Sequence, residues 1–138
     1  MPIWYGPVPS ENAFHVVYSG VIGLHDILGF FDRFEADFRL CPGHSEFCDA
    51  RTVERVDITD RELRAVLSLV VGIYRRNDCN KRIAFVAPDG AARPVLDRVV
   101  AAFDAGLPTV RSARFDAQGP ALDFIGLPRR ASIRSALH

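Results

Sequence analysis

The sequence predicts an α/β protein with a mixed β-sheet, an N-terminal hairpin and repeated β-α units. Three observations carry this. Two β-favouring runs near the start are separated by turn formers, later segments repeat apolar residues at the helical period, and short apolar runs alternate with those segments. Strands joined by helical crossovers run parallel, with right-handed connections in nearly every case.

Ile3-Trp4-Tyr5 and Phe14-His15-Val16-Val17-Tyr18 are the opening pair of strands, with Gly6–Asn12 as the turn-rich gap. After Gly20 and Gly23 the period becomes 3.6, and Ile27, Phe31, Phe34 and Phe38 fall on one helix face. Cys41-Pro42-Gly43 stops that helix. Ser45–Leu69 is the most informative stretch. It reads as a short apolar strand ending in Asp49, a turn, then Val56-Asp57-Ile58-Thr59 leading into a helix. Thr59 is the expected N-cap and Glu62 its capping-box partner, with Ile58 and Leu63 at the staple positions. Leu63, Val66, Leu67, Val70 and Ile73 give this helix a wide apolar face.

Arg82–Ala87 is nearly all apolar, the mark of a strand covered on both faces. Pro88-Asp89-Gly90 turns the chain into a third helix through Leu96, Val99, Val100 and Phe103, ending near Gly106. Thr109–Phe115 alternates like an edge strand, and a short helix over Pro120–Ile125 is stopped by Gly126 and Pro128. One domain over residues 1–128 is expected, with 129–138 a basic, disordered tail. Within it, Arg129-Arg130-Ala131-Ser132 looks like a kinase-recognition string, although a solvated tail explains it as well.

Composition narrows the function classes. Of 138 residues, 49% are hydrophobic and 25% charged, which fits a globular chain. Lys+Arg and Asp+Glu balance at 17 each, so no net field would attract nucleic acid or an anionic membrane. No apolar run approaches the ~20 residues of a membrane span, and MPIWYGPVPSEN lacks the pattern of a secretory signal. Three cysteines, an odd number, fit reduced thiols and a cytoplasmic location.

Catalytic signatures such as Gly-x-Ser-x-Gly, His-Glu-x-x-His and a phosphate-binding glycine loop are absent, and no cofactor is expected. Cys41, His44 and Cys48 have a zinc-like spacing but lack a fourth ligand at a suitable interval. Asp57, Asp60 and Asp89 would share one sheet end if their loops met in a crevice there, either binding a metal, acting as acid and base, or serving only as solvated loop charge and helix caps. Phe30, Phe31, Phe34 and Phe38 form either core or the flank of an apolar cavity. Gly29 in that helix would be explained by close backbone approach.

Phe47-Cys48-Asp49-Ala50-Arg51 followed by Val56-Asp57-Ile58-Thr59 resembles the strand and Asp-Ser-Ser-Gly helix start of the STAS superfamily, in its bacterial SpoIIAA-like branch. Ala121–Pro128 is similar to that branch's Ala-x-x-Trp-Leu-Gly ending, so the resemblance spans about residues 3–128. It implies a non-catalytic regulatory or protein-interaction module. The family's phosphorylated serine is replaced by Ile58, so the phosphorylation switch is not carried over; Thr59 could accept phosphate but is explained by capping. The expected partner surface is Asp57, Ile58, Thr59 and Asp60 with Pro88, Asp89 and Gly90, facing a protein partner. SpoIIAA-like domains are similar in fold to lipid-carrying SEC14-type proteins, which makes a small binding protein for an apolar ligand the alternative. A thiol- or metal-dependent enzyme near Cys41–Cys48 is the distant third.

Overall fold

A computed structural model describes residues 2–131. The chain runs β1 (Ile3–Pro7), β2 (Ala13–Gly23), α1 (Leu24–Phe38), β3 (Ser45–Asp57), α2 (Asp60–Arg76), β4 (Lys81–Val86), α3 (Ala92–Gly106), β5 (Val110–Phe115) and α4 (Gln118–Ile125). The five strands form one sheet in chain order, β1 antiparallel to β2 and every other pair parallel. This is the mixed α/β sheet that the pattern predicts.

Connectivity decides where the helices go. Three successive right-handed crossovers that step in one direction across a sheet place their helices on the same face. Accordingly Phe30, Phe34, Val70, Ile73 and Phe103 of α1, α2 and α3 share a single core with Val16, Cys48, Ile83 and Phe85 of the sheet. Helix α4 follows the last strand and covers the opposite face, where Leu122 and Ile125 meet Phe47, Ala84 and Val86. Because the strand order never reverses, the sheet has no switch point of the kind that opens a crevice in doubly wound folds.

Helix entrances follow from local chemistry. The Thr59 hydroxyl accepts the Glu62 N–H at 3.1 Å, and the Glu62 carboxylate accepts the Thr59 N–H at 3.0 Å. This is the reciprocal capping read from the sequence. Asp26 does part of the same for α1, accepting the Gly23 N–H at 2.8 Å. Gly29 needs another explanation than close approach: a Cβ there would meet only the end of the Arg33 side chain, at 3.4 Å.

The principal correction concerns β3. No turn follows Asp49; the strand continues to Asp57 and pairs with a β2 that itself extends to Gly23. Val17 and Ser19 face Asp49 and Thr52, and Gly20 and Val21 face Val53 and Arg55. Twice, therefore, β3 carries one residue more than β2, and each extra residue reverses which face the following side chains occupy. Asp49 stabilises the first irregularity, accepting the Arg51 N–H at 3.0 Å and pairing with its guanidinium at 2.7 Å.

Of the tail, Arg129 pairs with Asp123 at 2.7 Å and Ala131 packs against the α4 core, while Ser132 and the rest lie outside the described residues.

Candidate functional site

An apolar cavity of about 110 Å³ lies between α1, α2, α3 and the sheet. From β3 it is lined by Glu46, Cys48, Ala50, Val53 and Val56. In an unbroken strand Val53 would face away from Ala50, and the two extra residues bring Val53 and Val56 back into line. Helices α2 and α3 contribute Leu63, Val66, Leu96 and Phe103, among others, and β2 contributes Tyr18 and Ile22. Glu46, Cys48, Tyr74 and Phe103 are buried, whereas Val53, Val56, Leu67 and Leu96 are half-buried. Solvent therefore reaches the cavity from the Val56 side, and Glu46 marks its closed end.

Glu46 is 3% exposed and belongs to a buried polar cluster. The Tyr74 hydroxyl donates to both carboxylate oxygens, at 2.9 and 3.0 Å. Lys81 forms an ion pair with Oε2, and His44 Nε2 lies 3.0 Å from the same oxygen and 2.9 Å from Lys81 Nζ. That ring nitrogen accepts from Lys81 when His44 is neutral and donates to Glu46 when it is protonated. The Lys81 ammonium also stands over the Tyr74 and Phe38 rings, 3.8 and 4.5 Å from their centroids, an arrangement that favours a desolvated cation.

Burial by itself raises a carboxyl's pKa; here the Lys81 and His44 charges and bonds outweigh it and hold Glu46 at about 2. Burial draws the Lys81 ammonium below its ordinary value, with Glu46 offsetting part of that. Burial, followed by the Glu46 charge, pushes the Tyr74 phenol and the Cys48 thiol well above their usual ranges. Both stay protonated, and Cys48 behaves as a small apolar residue rather than a nucleophile.

A second, polar cleft of about 240 Å³ lies on the far side of this cluster, lined by Phe38, His44 and Lys81 together with Cys41 and Cys79. The His44 ring is committed to Glu46, Lys81 and the Cys41 carbonyl, 3.2 Å from Nδ1. Among the described residues no group of three or more His, Cys, Asp and Glu side chains is arranged to hold a metal ion.

The residues singled out in the sequence are distributed around this site. Asp57, Thr59, Asp60, Asp89 and Gly90 are exposed, and Ile58 and Pro88 half-buried. Asp57 to Asp60 directly follow Val56, which places their corner beside the cavity's open side. The three acids do not share a carboxylate cluster: Asp60 pairs with Arg98 at 3.0 Å and Asp89 with Arg93 at 3.7 Å. Of the four phenylalanines, Phe31 lines the apolar cavity, Phe38 lines the polar cleft, and Phe30 and Phe34 stack in the core with centroids 4.9 Å apart. Sequence reasoning missed Glu46, Tyr74 and Lys81 altogether. The available signal was a lone acid beside Phe47-Cys48 and a lysine opening the next parallel strand.

The architecture is a SpoIIAA-like fold. The chain is similar to a crystal structure from Shewanella loihica, an uncharacterized protein of the DUF3478 family with a SpoIIAA-like fold. The TM-score is 0.59 at 14% identity, over 89% of this chain and 91% of that one, a likeness that establishes the fold alone. No family model and no curated protein matches the sequence. Among the described residues no helix is long and apolar enough to cross a membrane.

Proposed function

We propose that this chain is a non-catalytic binding module that holds a small apolar or amphipathic molecule between its three crossover helices and the sheet. The supporting observation is the cavity itself. Its wall is almost wholly aliphatic and aromatic, and its volume of about 110 Å³ approaches the ~150 Å³ of an apolar cavity that takes up benzene. Binding there uses apolar burial at roughly 25 cal/mol per Å². A protein partner would read the corner Asp57-Ile58-Thr59-Asp60, which follows Val56 of the cavity wall, and the turn Pro88-Asp89-Gly90 that leads towards Ala92 of that wall. Docking there needs no phosphate, since the Thr59 hydroxyl already serves as the helix cap. The unpaired cysteines fit a reducing, cytoplasmic setting.

Native against denaturing mass spectrometry, on protein purified from its own host, tests this reading. Extra mass that is lost on denaturation supports a bound small molecule. A bare chain that nevertheless cross-links in cells through the Asp57–Asp60 corner would favour protein docking alone.

A further inference from the structure

We propose that the ligand of the apolar cavity is a small neutral amphiphile whose terminal hydroxyl donates a hydrogen bond to Glu46 Oε1 beside Tyr74. The inference rests on the cavity being a binding site and adds the chemical class of its occupant.

The two oxygens of Glu46 are unequally used. Oε2 faces Lys81, His44 Nε2 at 3.0 Å and the Tyr74 hydroxyl at 3.0 Å. Among the described residues Oε1 accepts only from Tyr74, at 2.9 Å. A carboxylate oxygen has room for two donors, so Oε1 retains acceptor capacity. Lys81 and His44 line the polar cleft, whereas Glu46 and Tyr74 line the apolar cavity, so Lys81 and His44 approach the carboxylate from the other side.

The remaining polar groups on the cavity wall are the Tyr18 phenol and the Cys48 thiol, both held protonated chiefly by burial. Glu46 is therefore the strong acceptor of this wall, and the single Tyr74 proton is already directed at it. A ligand carboxylate would bring a second anion against Glu46 in a low-dielectric site. An ether could accept from the Tyr18 hydroxyl but has no proton to give Glu46, where it would set an acceptor against an acceptor. A hydroxyl meets the requirement, and a cavity of about 110 Å³ that opens to solvent on its Val56 side suits a short-chain alcohol whose far end lies at the opening.

Three probes of similar size separate these cases in the full chain with ¹³C-methyl-labelled valine and leucine: 1-hexanol, its donor-free isomer 1-methoxypentane, and hexanoate. Titrations followed by NMR are expected to shift the methyls of Val53, Val56 and Leu63. Affinity for 1-hexanol should exceed that for 1-methoxypentane by about tenfold, the step expected of one hydrogen bond to a charged group, with hexanoate weaker still. Equal affinity for 1-hexanol and 1-methoxypentane, or hexanoate binding as tightly as 1-hexanol, would overturn the hydroxyl assignment and leave the cavity reading standing. If no probe moves those methyls, the cavity reading fails as well.

Discussion

Ala50 and Val53 face the same side of the sheet although an odd number of positions separates them, and both line the apolar cavity. The extra residue that β3 carries between Asp49 and Thr52 makes this possible, and a second one past Val53 does the same for Val56. The cavity's length is thus a product of strand irregularity, held at its first step by the Asp49–Arg51 pair.

Deleting Glu54, the unmatched residue of the second irregularity, should return β3 to register with β2 and turn Val56 to the opposite face. Loss of its burial and of the wall should cost at least about 2 kcal/mol, read as a lowered urea midpoint. An unchanged midpoint would mean that the irregularity does not set the facing of Val56.

Glu46 and Lys81 form a buried pair, and breaking such a pair strands a charge. Lys81→Met should destabilise by about 3–5 kcal/mol, whereas Lys81→Met with Glu46→Leu should recover most of the loss. Chemical denaturation of wild type, single and double variants measures this directly. A double variant no better than the single would locate the damage in packing instead.

The same pair sets an acid limit. The folded-state pKa of Glu46 is depressed from 4.5 to about 2, so its stabilisation is fully present above pH 4.5 and lost as pH falls towards 2. The loss is on the order of 3 kcal/mol. Urea midpoints between pH 7 and pH 3 should fall more steeply in wild type than in the double variant, which lacks the group. Parallel curves would contradict it.

Thr59→Ala removes the acceptor of the Glu62 N–H and should cost about 1 kcal/mol. Because the hydroxyl is exposed and performs no binding chemistry, ligand uptake should be retained. Differential scanning calorimetry with and without 1-hexanol tests both statements.

Filling the cavity should stabilise the empty protein and exclude its ligand. Val53→Ile keeps the β-branched shape preferred in strands, adds one methylene to the wall, and should raise stability by about 0.5–1 kcal/mol while weakening probe binding. Tighter binding in this variant would mean that Val53 stands outside the occupied space.

Much of the fold was legible because the signals were local. Thr59 and Glu62 announce a helix start by their spacing, and the apolar run Ile83–Val86 announces a doubly covered strand. The extension of β3 past Asp49 was not legible, because each extra residue breaks the period-2 pattern on which strand reading depends. Ala50-Arg51-Thr52 therefore looks like a turn. Nor was the Glu46–Lys81–Tyr74 cluster, whose members are brought together only by the pairing of β3 with β4 and the packing of α2 over them. The exposed corner at Asp57–Asp60 was readable as a place, but its adjoining cavity is a tertiary property.

Crystals held under xenon pressure offer the most direct test of an apolar cavity built by the two irregularities of β3. Xenon density is expected in contact with Cys48, Val53 and Leu63, with the surrounding side chains unmoved. Absence of xenon there, with Val53 and Leu96 closed against each other, would contradict the account.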